Sequence, residues 1–268
     1  KNKGVQIDVT DTKESITQKL GKPTEIYKSG NNEIWLYDNG NGDFTEICLY
    51  NDKVEIINTV SELWEYRSIL SAGSSVDNIE QVRSAGGYNF MSSEKIKRYT
   101  NEEFTGYVYN SYVDVNYGSK GNLTIYVDNN LKTAIGFTIE KPSMYLKFSY
   151  EGFTDKELGK LVFYYTNAYR SRLNIEPLIW SEDVYQAAHN HTKDMFERDF
   201  FAHDSPTEGF WERATRELGR GYKCEVLFLS QGSFNPIHAL VGWMKSSPGH
   251  REATLSDTYK YAGTSLMG

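Results

Sequence analysis

The chain is short of the residues that usually announce chemistry. Its 268 residues hold two cysteines, Cys48 and Cys224, set far apart. That excludes a Cys-x-x-Cys motif and a multi-disulfide framework, and leaves either one long-range disulfide or two buried thiols, of which the thiols are expected. Histidine is missing from the first 188 residues, and all five (189, 191, 203, 238 and 250) fall in the last 80. Because histidine changes charge near neutral pH and ligates metals, a chemical site is sought in that C-terminal stretch. A Walker loop, a Gly-x-Gly-x-x-Gly after a strand and an EF-hand loop are also missing, as is the Gly-x-Ser-x-Gly elbow that positions a nucleophilic serine.

Basic excess is lacking too. The 29 basic and 36 acidic side chains leave a net charge of −7. Residues 1–150 carry 16 basic and 20 acidic groups and the remainder 13 and 16, so neither part forms a charged tail. Without a basic stripe to neutralise phosphates, a nucleic-acid partner is excluded. The longest uncharged stretch, Val226 to Met244, is interrupted by Ser230, Gln231, Gly232, Ser233, Asn235, Pro236 and His238, so no transmembrane segment is expected. The opening Lys1-Asn2-Lys3-Gly4 has neither Met nor an apolar leader, as expected of a processed product. Hydrophobic content of 39% with 24% charged residues suits one large globular domain or two ordinary ones.

The pattern along the chain favours two. Residues 1–145 read as a small α+β domain of short strands and turns. Thr12 to Gly21 is a capped helix stopped by glycine, and Ser75 to Arg83 repeats that design with glycines at 86 and 87. Each leads to an alternating segment folded about an Asn/Asp turn, Ile47–Ile57 and Leu123–Ile135, which suggests a tandem unit of about 65 residues. After Lys141-Pro142 the texture becomes helical. Thr154-Asp155-Lys156-Glu157 is a capping box, followed at helical spacing by Leu158, Leu161, Val162, Tyr165, Ala168 and Tyr169. Ser181 caps a second helix that places Val184, Ala187, Ala188, His191, Met195 and Phe196 on one face. The second domain spans 150–268.

The histidines separate by context. His189 and His191 project about 200° apart on a helix and cannot chelate one ion. His191 shares the apolar face and is expected in the core; His189 is expected in solvent, and His238 on a helix surface. His203 and His250 adjoin the turns Asp204-Ser205-Pro206 and Ser247-Pro248-Gly249, where a side chain can face a cleft. Glu225 lies in the apolar segment Cys224–Leu229, read as a strand, and a carboxylate there needs a partner. Two histidines and a glutamate suit Zn²⁺ or another divalent metal, or a carboxylate-oriented imidazole, and equally they suit scattered structural positions. A serine nucleophile (Ser205, Ser246 or Ser247) would lack its elbow, and Ser247 before Pro248 suits a turn. Cys224 is a poor nucleophile beside Glu225.

These segments together resemble the CAP superfamily (cysteine-rich secretory, antigen 5 and pathogenesis-related proteins; SCP-like), its bacterial branch above all. The resemblance rests on Asn167-Ala168-Tyr169-Arg170, then Pro177-Leu178-Ile179-Trp180. It continues through Ala187-Ala188 to Phe201-Ala202-His203, the segment of Glu225, and Trp243 to Arg251. It covers roughly 150–268, while residues 1–145, with Leu20-Gly21-Lys22-Pro23, resemble the CAP-associated domain found ahead of some bacterial members. The resemblance implies an α-β-α sandwich with an open cleft, usually outside the cell. Two histidines and two glutamates line that cleft in the family and can bind a divalent metal. His203, Glu225 and His250 match; the second glutamate has no counterpart between Glu225 and Glu252, and the family adds a further core strand after Ala262–Gly268.

The resemblance and the incomplete ligand set together imply a secreted or surface-associated protein that binds a ligand, lipid, peptide or protein partner without catalysis. The cleft would comprise His203, Asp204, Glu225, Trp243, Ser247, His250 and Arg251. The alternative is a metal-assisted or serine-type protease or esterase using His203, Glu225 and His250.

Overall fold

The computed structural model describes residues 5–65, 68, 70–75, 77–78, 111–115, 121–128, 130–142, 144–230, 235–246 and 249–267. Contacts divide the chain into two compact units, Lys1–Ser149 and Tyr150–Gly268. Apart from Ser75, Asp77 and Asn78, the expected second short helix lies outside the described residues, as does Ser247.

In the first unit, helix α1 (Lys13–Leu20) begins where the Thr12 hydroxyl accepts the Ser15 amide at 3.3 Å and stops at Gly21, whose φ of 79° is left-handed. Its fully buried Ile16 anchors it on Trp35, Ile47, Leu49 and Val54 of a sheet. That sheet is formed by β1 (Glu25–Ser29), β2 (Asn32–Asp38), β3 (Phe44–Tyr50), β4 (Lys53–Thr59), β5 (Ser111–Val115), β6 (Gly121–Asp128) and β7 (Thr133–Glu140). The order is β1-β2-β3-β4-β7-β6-β5, antiparallel throughout. Asn51 and Asp52 at φ 46° and 61° make the tight β3–β4 turn that Asn and Asp tolerate.

The two halves of the sheet echo each other. Each closing hairpin has one register shift, at Cys48/Leu49 and at Tyr126/Val127. Thr12 bridges to Lys53 as β4 starts, and Ser75 bridges to Thr133 as β7 starts. The chain leaving β7 stays clipped to this unit, because the buried Glu55 accepts from Lys141 Nζ at 2.5 Å and from the Lys147 amide at 2.8 Å.

In the second unit, α2 (Asp155–Arg172) opens on the capping box: the Thr154 hydroxyl accepts the Glu157 amide at 3.2 Å, and Glu157 accepts the Thr154 amide at 2.8 Å. Its buried residues include Leu158, Leu161, Val162, Tyr165, Ala168 and Tyr169, as the spacing predicts. The unit continues with β8 (Ile179–Trp180), α3 (Glu182–Glu197), α4 (Phe210–Leu218), α5 (Ile237–Lys245), α6 (His250–Leu255) and β9 (Tyr261–Ala262). α2 packs on α5, which buries Ile237, Leu240, Val241 and Met244, and β8 pairs in parallel with β9.

Two expectations are corrected here. The segment around Glu225 belongs to no strand, because its apolar residues favour extended backbone while a strand also requires a hydrogen-bonded neighbour, and the described residues supply none. Phe196 leaves the apolar face of α3 and is 65% exposed, since the helix end carries it past the packed part of the unit. The resulting class is α+β, with a mainly antiparallel sheet followed by a mainly helical unit.

Candidate functional site

Four segments gather about Glu225. Helix α3 supplies His191, the turn after it His203, α4 contributes Arg213, and α6 begins with His250. The turn holding His203 is closed by its own neighbours. Asp204 Oδ1 accepts the Phe210 amide at 2.7 Å at the start of α4, and Ser205 Oγ accepts the Glu208 amide at 3.0 Å.

Arg213 organises the centre. Its Nη2 donates to Glu225 Oε2 at 2.7 Å and its Nη1 to the His203 carbonyl at 3.0 Å, while the side chain is only 8% exposed. The other carboxylate oxygen accepts from His203 Nδ1 at 3.0 Å and lies 3.7 Å from His191 Nε2. His191 is buried and donates through Nε2 to the Ala202 carbonyl at 2.9 Å.

His250 faces this group from the far side, its ring centroid 6.3 Å from that of His203 and tilted by 36°. Burial, and secondarily the neighbouring His203, hold the His250 pKa below the ordinary imidazole value, so it is neutral at pH 7. Its Nδ1 contacts Ser246 Oγ at 2.7 Å.

The remaining expected cleft residues serve the frame. Trp243 is buried and donates through Nε1 to the Leu227 carbonyl at 3.1 Å, holding the Glu225 segment on α5. Arg251 reaches Met244 Sδ at 3.6 Å, and Asp204 caps α4. Asn167 and Arg170 are clamps: Asn167 exchanges two 2.8 Å bonds with Leu178, and the buried Arg170 donates to the carbonyls of Glu176, Thr254 and Ser256.

Two histidines depart from expectation. His189 is no solvated residue; its Nδ1 meets Asp155 Oδ2 at 2.5 Å, and the same oxygen accepts from Tyr185 and Ser265. His238 is half-buried rather than on the helix surface, and burial, helped by Lys245, pushes its pKa down to about 4. Sequence reasoning missed Arg213. Its one signal was a charge in the apolar stripe of α4 that Phe210 and Ala214 share at helical spacing.

Neither catalytic constellation assembles. As a metal ligand Glu225 does not fit, because both oxygens are engaged and a guanidinium 2.7 Å away repels a dication. Among the described residues no three His, Cys, Asp or Glu side chains are grouped to hold a metal ion. The Ser–His–Glu arrangement is split as well: Ser246 touches His250, while Glu225 orients His203. Neither cysteine forms a disulfide; Cys48 is buried as expected, but Cys224 is exposed, against the expected pair of buried thiols, and desolvation, together with Glu225, still pushes the Cys224 thiol up against an opposing bond from Tyr259.

Residues 163–268 match the model of the cysteine-rich secretory protein family, CAP. That part of the chain is similar to the CAP superfamily. The Bacillus subtilis (strain 168) protein YkwD is 30% identical over 108 residues, which are 40% of this chain and 42% of YkwD, so the match spans less than half of that relative. The membrane protein YlbC of the same strain is 21% identical over 283 aligned residues, 94% of this chain and 78% of YlbC. Two crystal structures share the fold over all of this chain. An extracellular SCP-domain protein from Bacillus anthracis str. Ames superposes with TM-score 0.76 at 19% identity over 95% of that chain. A cysteine-rich secretory protein from Staphylococcus aureus subsp. aureus Mu50 superposes with TM-score 0.72 at 13% identity over 94% of that chain. No helix among the described residues is long and apolar enough to cross a membrane.

Proposed function

We propose that the protein is a secreted or surface-associated binding protein whose CAP cleft holds a ligand or partner at His203 and His250 without turning it over. Residues 1–145, as a CAP-associated domain, would place or gate that cleft. The observation that carries this reading is the engagement of Glu225. A general base needs a free lone pair at the reacting proton, and a metal ligand needs one at the ion. Glu225 gives one oxygen to Arg213 and the other to His203, so it orients a histidine instead. The imidazoles then stand together as a hydrogen-bonding recognition pair. The extracellular description of the Bacillus anthracis neighbour supports the proposed location.

The test is a titration of isotopically labelled protein with a panel of short peptides and fatty acids, monitoring the imidazole signals of His203 and His250 and the chemical integrity of each compound. Binding predicts saturable shifts at both rings with every compound recovered intact. Consumption of a compound, abolished in His203→Ala, would contradict it.

A further inference from the structure

The first unit has a cavity of about 300 Å³, and none of its described lining belongs to the site above. Its size lies at the lower end of small-ligand pockets, about 300–1,000 Å³. Leu20 and Lys22 line it from the end of α1 and the turn that follows, and Asp38 and Asp43 line it from the end of β2 and the loop before β3. Two bonds lock these walls together. The Asp38 amide donates to Thr24 Oγ1 at 2.9 Å, and the Tyr37 hydroxyl donates to the Gly21 carbonyl at 3.2 Å. Burial pushes the Tyr37 phenol up to about 12, so that donor stays protonated. The walls are thus preorganised.

The polar groups of this lining are unused. Trp64, also in the wall, is only 7% exposed, yet its indole Nε1–H has no hydrogen-bond partner among the described residues. That nitrogen is not cut off from solvent, so the small open part of Trp64 includes its one donor. An indole nine-tenths buried that keeps its N–H unpaired calls for an acceptor from outside the fold. Asp38 gives Oδ1 to the Gly40 amide at 3.0 Å, and Asp43 gives Oδ2 to Asn39 Nδ2 at 2.8 Å. The second oxygen of each, and the Lys22 ammonium, have no partner among the described residues. We propose that this cavity binds a free amino acid, its ammonium group at Asp38 and Asp43, its carboxylate at Lys22 and the Trp64 indole, and its side chain on Leu20. A sugar would reach the same hydrogen-bonding groups but leave their charges unanswered, and a simple amine or acid would answer only one sign.

Titration of the whole chain with L-leucine tests this, read from the assigned Trp64 indole N–H signal in nitrogen–proton NMR. Binding predicts a saturable shift with a Kd of about 1 mM or tighter. Isoamylamine, which lacks the carboxylate, and isocaproate, which lacks the ammonium group, should each bind at least about tenfold more weakly. L-leucine should lose affinity to the same degree in Asp38→Asn/Asp43→Asn and in Lys22→Gln. These variants keep the fold, because the amide oxygens still accept the Gly40 and Asn39 bonds and Lys22 is exposed. The proposal is overturned by any of three results: no saturable shift with L-leucine, equal affinity for glucose or for either singly charged analogue, or full affinity in either variant.

Discussion

Arg213 Nη2 lies 2.7 Å from Glu225 Oε2, joining residues 12 positions apart, and neither side chain is more than 17% exposed. The pair ties α4 to the segment that carries Glu225. Removing one partner leaves a largely buried charge without its counter-ion. Arg213→Met should therefore cost about 3 kcal/mol in chemical denaturation. The double variant Arg213→Met/Glu225→Met should recover most of that loss, because a pair removed whole leaves no stranded charge.

Arg170 is a second buried cation, and its acceptors are all carbonyls, at 2.7 to 3.0 Å. Arg170→Met would leave the carbonyls of Glu176, Thr254 and Ser256 without these donors. A loss of about 3 kcal/mol or more is expected in the same measurement. Asn167→Ala should cost less, about 1–2 kcal/mol, since it removes two neutral bonds to Leu178.

Acid should weaken the second unit through His238. Its folded pKa of about 4 lies below the ordinary imidazole value of 6.5, so between those values the unfolded chain binds more protons. Stability is full above about pH 6.5 and falls by up to about 3 kcal/mol as pH drops toward 4. His238→Leu should flatten that part of the pH–stability profile measured by urea denaturation. An unchanged slope would show that another group carries it.

Asp155 binds His189, Tyr185 and Ser265 through one oxygen, and these bonds outweigh the burial that opposes its ionisation, so its pKa is lowered. Its stabilising contribution is present above the ordinary carboxylate value and is lost as pH falls through the depressed one. Asp155→Ala should destabilise by about 1–3 kcal/mol at pH 7. Faster amide exchange across residues 263–267 should accompany it, because Ser265 loses its anchor.

Features set by neighbouring residues were legible in the sequence. The Thr154–Glu157 box, the Ser181 cap and the Asn51–Asp52 turn each satisfy local backbone groups, so a few letters specify them. The pattern Asn167 to Arg170, Trp243 and His250 marked the CAP unit, although it could not separate clamp from ligand. What escaped depends on distance across the fold. Nothing near His189 names Asp155, 34 positions earlier, and nothing near Glu225 names Arg213. The expected strand at Glu225 failed for a related reason: apolar residues can extend a segment, while its partner must come from elsewhere in space.

The claim that Glu225 orients His203 and leaves the cleft to bind rather than react is tested most directly by turnover. Purified protein would be incubated with peptide and ester substrates, with and without added Zn²⁺, and products detected by mass spectrometry beside His203→Ala, His250→Ala and Glu225→Gln. The expected result is no product above buffer for the native protein or any variant. Product formed by the native protein and abolished in all three variants would contradict it.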